Sequence, residues 1–487
     1  MDERPLDAAV VGAGPNGLTA AVTLAAAGLA VRVWEAATTI GGAAATAELT
    51  LPGFHHDVGS AVHPFAAGSP VFRSLPLAAH GLEWLQPELA LAHPFDDADA
   101  ALLDRSVPRT VERLGPGYGR LVRPFVGRWD ALAPDVLRSL FAPLPRHPFL
   151  LARFGLRALP SVALLARRVR TRAGAALLSG MAGHTGVPLS APVTGGPALM
   201  LSLAAHEVGW PVPRGGAQAI SDALAGRLRA LGGTITTGHA VASLDELPPA
   251  RAYLLDVAPS AVAGLAGARL PARYTRRLAR YRRGPGVFKL DYALAEPVPW
   301  RDPTCRRAGT VHLGGAVDEI GASLDAIARG DAPTRPFVVA AQPSLLDPSR
   351  APAGRHTFWA YAHVPNAWSG DLTDAIERQI ERFAPGFRDV VLDRAVTSPA
   401  ALEAQNANLL GGDLANGTVC GRQALFRPVV AVVPYATPDP SVFLCSAATP
   451  PGPGVHGMCG YHAARVALRR VFGRRDTRAD EGDHAGE

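Results

Sequence analysis

The opening forty residues leave few folds available to this chain. Residues 8–13 form an apolar run that ends in glycine, residues 16–28 form an Ala-rich helical segment stopped by Gly28, and Val31-Arg32-Val33-Trp34 reads as a second strand. Between the first strand and the helix stands Gly12-Ala13-Gly14-Pro15-Asn16-Gly17, the GxGxxG spacing. With 51 glycines in 487 residues, the bare spacing arises by chance roughly once in two such chains, so its position in a βαβ unit carries the information. Gly12 permits the tight turn, Gly14 lets the backbone approach a pyrophosphate, and Gly17 allows close helix–strand packing. The helix N-terminus supplies oriented N–H groups to the phosphates. Glu35, with Ala36 beside it, closes the second strand 18 residues beyond Gly17. A carboxylate there accepts hydrogen bonds from ribose hydroxyls and argues against the 2′-phosphate of NADP.

The length exceeds what one hydrophobic core covers, so two lobes are expected. The reading is an α/β protein whose nucleotide-binding lobe is discontinuous, built from about 1–80, 205–260 and 430–472. Residues 81–204 and 261–429 form a substrate lobe with an antiparallel sheet and a helical cap, and 473–487 form a disordered tail. Strands are expected at Thr234–Thr237, Gly286–Leu294, 336–339, 357–361 and Val442–Cys445. Helices are expected at 217–231, 372–384 and about 460–471.

A net charge of +6 and a pI near 9.4 invite a nucleic-acid reading. The arginines are scattered, however, and accompany no recognised nucleic-acid module, so nucleic acid is not expected as a partner. The four cysteines, Cys305, Cys420, Cys445 and Cys459, form no CxxC pair, which removes a dithiol centre and a zinc knuckle and suits a reducing compartment. No cationic segment followed by an apolar one opens the chain, so a cytoplasmic location is expected. The most apolar stretch, Phe149 to Ala166, is interrupted by Arg153, Arg157 and Pro160. It is too broken to span a bilayer, but it suits either a helix pair lying flat on a membrane surface or one lining a substrate cavity.

Gly41-Gly42, shortly after Glu35, is a second point of close approach, and this extended pattern resembles the glutathione-reductase-like FAD fold. Four further stretches sharpen the resemblance: Gly41-Gly42-Ala43-Ala44-Ala45-Thr46, Pro52 to Ser60, Gly209 to Gly216, and Leu444 to Ala464. With them the chain resembles the phytoene-desaturase-like FAD oxidoreductases over roughly residues 7–472, in the branch of pyridine nucleotide-disulphide oxidoreductase domain-containing protein 2. The resemblance implies an FAD contacted by Gly12 to Gly17, Glu35, Ala36, Gly41, Gly42, Ala43, Ala44, Gly59, Ser60 and Val241. At the C-terminal end it implies contacts from Cys445, Ser446, Gly454, Val455, His456, Gly457 and Met458. There, a helix N-terminus would stabilise negative charge on reduced flavin. Two departures stand out. Gly41-Gly42 is followed by Ala43 rather than arginine, and Cys445-Ser446-Ala447 lacks the usual acidic residue.

Lys289, the only lysine in the chain, sits mid-strand in Val287-Phe288-Lys289-Leu290-Asp291. Related amine oxidases place a lysine and a water near the flavin N5, and the alternative is an edge-strand lysine paired with a neighbour such as Asp291 or with a distant carboxylate. His63 follows a flavin-contacting segment and faces either the substrate or a backbone carbonyl. No metal site is read. The expected activity is FAD-dependent hydride removal from a small apolar, isoprenoid- or lipid-like substrate, of desaturase type. A flavin amine or amino-acid oxidase and a non-catalytic flavin-binding protein are the alternatives. An amine oxidase would want an aromatic cage, and no motif shows one. No second GxGxxG for a nicotinamide is read, so oxygen, a quinone or a protein is the expected electron acceptor.

Overall fold

The computed structural model describes residues 5–140 and 144–474, so most of the expected tail lies outside the described residues. Two sheets organise the chain. The first has five parallel strands in the order Val442–Leu444, Ala250–Leu255, β1 (Leu6–Val11), β2 (Val31–Trp34) and Thr234–Thr236. Alternate residues of β1 explain its unbroken apolar sequence. Ala8 and Val10 pack under helix α1 (Pro15–Ala26), the helix Gln218–Ala230 and the C-terminal helix Met458–Arg470. Ala9 and Val11 pack under Val262, Leu270, Tyr274 and Leu278 on the other side. A parallel sheet covered on both faces must be apolar on both.

The second sheet has seven strands in the order Val391–Thr397, Gly286–Leu294, His356–Val364, Val338–Ala341, Ala308–Leu313, Leu89–His93 and Ala101–Leu103. All neighbours are antiparallel except Ala308–Leu313 against Leu89–His93. On one face Phe288, Leu290, Tyr292, Phe358 and Ala360 pack against Ile376, Ile380 and Phe383 of the helix Thr373–Phe383. The opposite face carries Lys289, Asp291, Trp359, Tyr361, Val339, Ala341, His312 and His93, because directly paired residues project to one side. The helix Arg172–Gly183 lies on that face. A Cβ on Gly180 would strike the His312 ring and one on Gly183 would lie 2.6 Å from Phe337, so the two glycines set how closely helix and sheet approach.

Among the described residues no single helix is long and apolar enough to cross a membrane, and the helices Pro148–Ala158 and Val162–Val169 meet at 89°. The fold is a Rossmann-type dinucleotide-binding lobe with an interleaved α+β lobe, as read from the sequence.

Candidate functional site

β1 delivers the chain into the glycine turn, where the Gly12 N–H donates to the Trp34 carbonyl at 2.8 Å. A Cβ at Gly17 would be driven into the Gly12 carbonyl oxygen, so this is where helix and strand touch. The Gly41 N–H donates to the Ala13 carbonyl at 3.0 Å, which pins the double-glycine loop to the first loop. Gly42 then stands against Gly14, 3.7 Å from the Gly14 Cα to a Cβ built on Gly42. Gly59 packs on the Ala43 carbonyl, and Ser60 beside it is exposed. The Glu35 carboxylate accepts from the Ala13 N–H at 2.7 Å and the Ala37 N–H at 2.9 Å. Backbone bonds from Gly238 to Ala37 and from His239 to Glu35 bring the segment leading to half-buried Val241 alongside exposed Ala36.

The C-terminal segment closes the other side. The Cys445 N–H donates to the Leu255 carbonyl at 2.9 Å, and the Ser446 carbonyl accepts from Thr449. The C-terminal helix crosses α1 so closely that a Cβ on Gly460 would enter the Asn16 carbonyl. Ahead of that helix, Gly452-Pro453-Gly454-Val455-His456-Gly457 repeats the GxGxxG spacing. This corrects the sequence reading, which saw none. The second run serves the same site as the first, however, because its helix leans on α1. The Ser69 hydroxyl donates to the His456 carbonyl at 2.6 Å, and the Met458 N–H donates to His456 Nδ1 at 3.1 Å. Burial lowers the His456 pKa to about 4, so the ring is neutral and suited to accept that bond. The Asn16 side-chain oxygen, buried at this junction, has no partner.

Asp256, which sequence reading missed, ends the strand Ala250–Leu255. Its Oδ2 accepts from the Gly17 N–H at 2.8 Å, and its backbone and side chain stand against Gly12 and Gly14. Burial raises its pKa to about 7, with the nearby Glu35 charge adding to the rise. The acidic residue expected after Val442–Leu444 is absent, yet this carboxyl lies one strand away, close enough to raise the Cys445 thiol further after burial has done most of it. The signal was present as a lone aspartate at a strand end, but only the parallel pairing places it on the glycine turn.

Lys289 belongs to an interior strand, between Val391–Thr397 and His356–Val364, so the edge-strand expectation is corrected. The sheet had to be known to rank the strands. Its ammonium pairs with Asp291 two residues along the same face, both fully buried. His56 Nδ1 lies 3.6 Å from Asp291, and Arg350 reaches Asp57 at 2.8 Å and the His55 carbonyl at 3.0 Å. Burial first, then the Lys289 and Arg350 charges, hold His56 near a pKa of about 3, so it is neutral. Two cations and two carboxylates therefore balance in a joint linking the two lobes. Val287, on the same face as Lys289, packs with Leu402 and Leu409 against Ala43, so this face addresses the double-glycine loop. His63 is buried; burial lowers its pKa to about 4, while Asp57 and the Ser60 backbone pull it upward, and Nε2 has no partner. Trp210 is core, its indole N–H donating to Thr310 at 2.8 Å. Trp359 and Tyr361 stack at 5.6 Å and 16° on the Lys289 face, an aromatic pair that no motif announced. Their two-residue spacing hid them in an ordinary strand. A surface cleft of about 370 Å³ is lined by Arg73, Trp84, Trp129 and Glu207 among others. Its lining includes neither the glycine loops nor Lys289. Among the described residues no cluster suits a metal ion.

A family described as an NAD(P)-binding Rossmann-like domain matches residues 10–75. The rat pyridine nucleotide-disulfide oxidoreductase domain-containing protein 2 is 26% identical over 95% of this chain and 93% of that protein. Among solved structures, an oxidoreductase from Methanosarcina mazei superposes with a TM-score of 0.62 at 16% identity, covering 94% of this chain and 99% of the other. Wild-type putrescine oxidase bound to putrescine gives 0.60 at 19% identity, covering 96% and 99%. The resemblance drawn from the sequence is thus borne out: the chain has the two-lobed amine-oxidase fold and is related along nearly its whole length to pyridine nucleotide-disulfide oxidoreductase domain-containing protein 2.

Proposed function

We propose that the chain is an FAD-dependent oxidoreductase that removes hydride from an apolar, lipid- or isoprenoid-like substrate. The residues present fit the cofactor. Gly12, Gly14, Gly17 and Gly41 let the two glycine loops, α1 and Asp256 close on one another with no side chain between them, and the buried Asn16 amide oxygen has no partner. Glu35 would take the ribose hydroxyls, the start of α1 the pyrophosphate, and Ala43, Ala44, Gly59, Ser60 and the 445–458 run the flavin end. Val241 would flank the adenine. FAD, when bound, supplies the hydride acceptor.

The observation that carries the substrate class is electrostatic. On the sheet face that addresses the double-glycine loop, Lys289 and Asp291 are already paired with each other, and Asp393, opposite Ala293, stands toward the other end of the strand. Trp359, Tyr361, Val339, Ala341 and neutral histidines fill the rest, with burial lowering His93 to about 4 and His363 to about 3. An ammonium arriving beside Lys289 would find Asp291 already paired, and burying it without a counter-ion is costly. Lys289 is paired with Asp291 on this face, and His63 offers a neutral Nε2 without a partner. The electron acceptor is oxygen, a quinone or a protein.

One observation favours a second reading, amine oxidation: Trp359 and Tyr361 form a stacked pair on the Lys289 face, and aromatic faces attract cations. Anaerobic titration of FAD-loaded protein decides. Bleaching of the flavin bands by long-chain alkenes or isoprenoids but not by alkylamines supports the apolar reading. Bleaching by amines alone replaces it, and a protein that takes up no FAD removes both.

A further inference from the structure

We propose that the bent helix pair Pro148–Ala158 and Val162–Val169 is a docking surface for an anionic lipid bilayer. The pair presents its apolar side chains outward. Phe149 is 90% exposed, Leu156 74%, Leu159 52% and Leu164 40%. Phe149, Ala152, Arg153 and Leu156 recur at the spacing of one helix face, while Phe154 and Ala158 turn inward. Isolated exposed leucines are ordinary, but a contiguous outward stripe on adjoining helices marks a contact surface.

The charge around the stripe selects the occupant. Between Asp135 and Glu207 the sequence holds eight arginines and neither aspartate nor glutamate. Arg153, Arg167 and Arg168 are exposed, and among the described residues no carboxylate lies within ion-pair distance of them or of Arg157. Arg157 instead rests over the Phe125 ring at 5.6 Å and donates to the Arg153 carbonyl. Elsewhere on the surface arginines find partners, as Arg214 does with Glu83 and Arg388 with Asp374. A two-fold contact with a second copy would bring this uniformly cationic face against itself, which like charges oppose. A bilayer with anionic headgroups satisfies both halves, taking the apolar side chains into the acyl boundary and the guanidinium groups at the phosphates. The 89° bend and the short helices suit lying on a surface and not crossing it. The pair also caps the substrate lobe: Leu165 packs in the same core as Leu177 of the helix Arg172–Gly183, which lies on the second sheet. An apolar substrate, on the reading above, would enter from the bilayer. The docking itself does not depend on that reading.

The test is co-flotation of the full-length protein with vesicles of phosphatidylcholine alone and with 30% phosphatidylserine. Binding to the anionic vesicles only, falling steeply in 0.5 M salt, is the expected result. Arg153→Ala and Arg157→Ala should each lower partitioning by about fivefold. Phe149→Asp with Leu156→Asp should abolish it, with far-UV circular dichroism and FAD uptake unchanged because these side chains face outward. Equal binding by that double variant, no binding of the parent protein to either vesicle, or a dimer that the double variant dissociates would overturn the proposal. Flotation is read without turnover, so failure of the substrate reading leaves it standing.

Discussion

The two sides of the candidate site are built from different materials. The nucleotide side is largely backbone: Gly12, Gly14, Gly17, Gly41 and Gly42 contribute absence of a side chain, and the Gly12, Gly41 and Gly17 N–H groups donate to the Trp34 carbonyl, the Ala13 carbonyl and the Asp256 carboxyl. The Lys289 side consists of buried side chains, with Lys289–Asp291 and Arg350–Asp57 packed around a neutral His56. A backbone cradle tolerates no added atom, whereas a charge joint tolerates no deleted one. The two sides should therefore fail in opposite ways.

Gly17→Ala should have the largest effect. The new methyl would be driven into the Gly12 carbonyl and against the Asp256 carboxyl, and the backbone cannot yield without moving β1 from α1. We expect destabilisation of about 3 kcal/mol or more and loss of FAD uptake, read by chemical denaturation and by absorbance after reconstitution. A variant that binds FAD with unchanged stability would show that the cradle is looser than its contacts imply.

Arg350→Met comes next. In the parent, burial raises the Asp57 carboxyl, but Arg350 and the Ala217 N–H bring it net below its ordinary value. That pair therefore contributes stability above the ordinary aspartate pKa, lost as pH falls through the lowered value. Removing Arg350 leaves Asp57 buried without its counter-ion, a loss of about 3–5 kcal/mol at neutral pH. The sign of the pH dependence should also reverse, because burial alone raises the carboxyl and stability then falls as pH rises from about 4. Urea midpoints at pH 4.5 and 7.5 measure this. An equal loss at both values would mean that packing of the long side chain, not charge, is what Arg350 supplies.

Asp256 joins the two materials, a side chain set into the backbone cradle. Its pKa of about 7 means that stability is lost progressively as pH rises from about 4 to about 7 and changes no further above that. A pyrophosphate arriving at the start of α1 meets a neutral carboxyl below pH 7 and a carboxylate above it. FAD affinity should fall by up to tenfold per pH unit above 7. Asp256→Asn should flatten that profile while keeping affinity at pH 6 within about threefold. A pH-independent parent would place the phosphates away from Asp256.

How much could be read beforehand follows the same division. The glycine turn was legible because its residues are neighbours in sequence and each has a geometric task, and the strand Gly286–Leu294 matched its predicted bounds. Lys289 stood out as a lone lysine, but its interior position came from Val391–Thr397, a hundred residues away. Arg350 and Asp57 are separated by 293 residues, and no local pattern couples them. The second GxGxxG at Gly452 was overlooked because a loop, and not a strand, leads directly into it. Asp256 was invisible for the reason that made β1 obvious: parallel strands meet only through crossovers.

The smallest expected effect concerns the aromatic pair and sharpens the choice of substrate. Trp359 and Tyr361 stack nearly parallel, and the Trp359 indole N–H is buried without a partner. Trp359→Leu keeps an apolar side chain on the face and removes the π surface, with a stability loss of about 1–2 kcal/mol from the lost stack and the smaller volume. An apolar substrate contacts either side chain with similar energy, so kcat/KM should stay within about threefold. A protonated amine held over the indole would forfeit a cation–π attraction of roughly 1–2 kcal/mol, a loss of about five- to thirtyfold. Steady-state kinetics on one alkene and one alkylamine therefore separate the readings through their ratio, which cancels whatever the substitution does to folding. A selective loss toward the amine would make the neutral face of the second sheet a cation trap and transfer the substrate assignment to the amine reading.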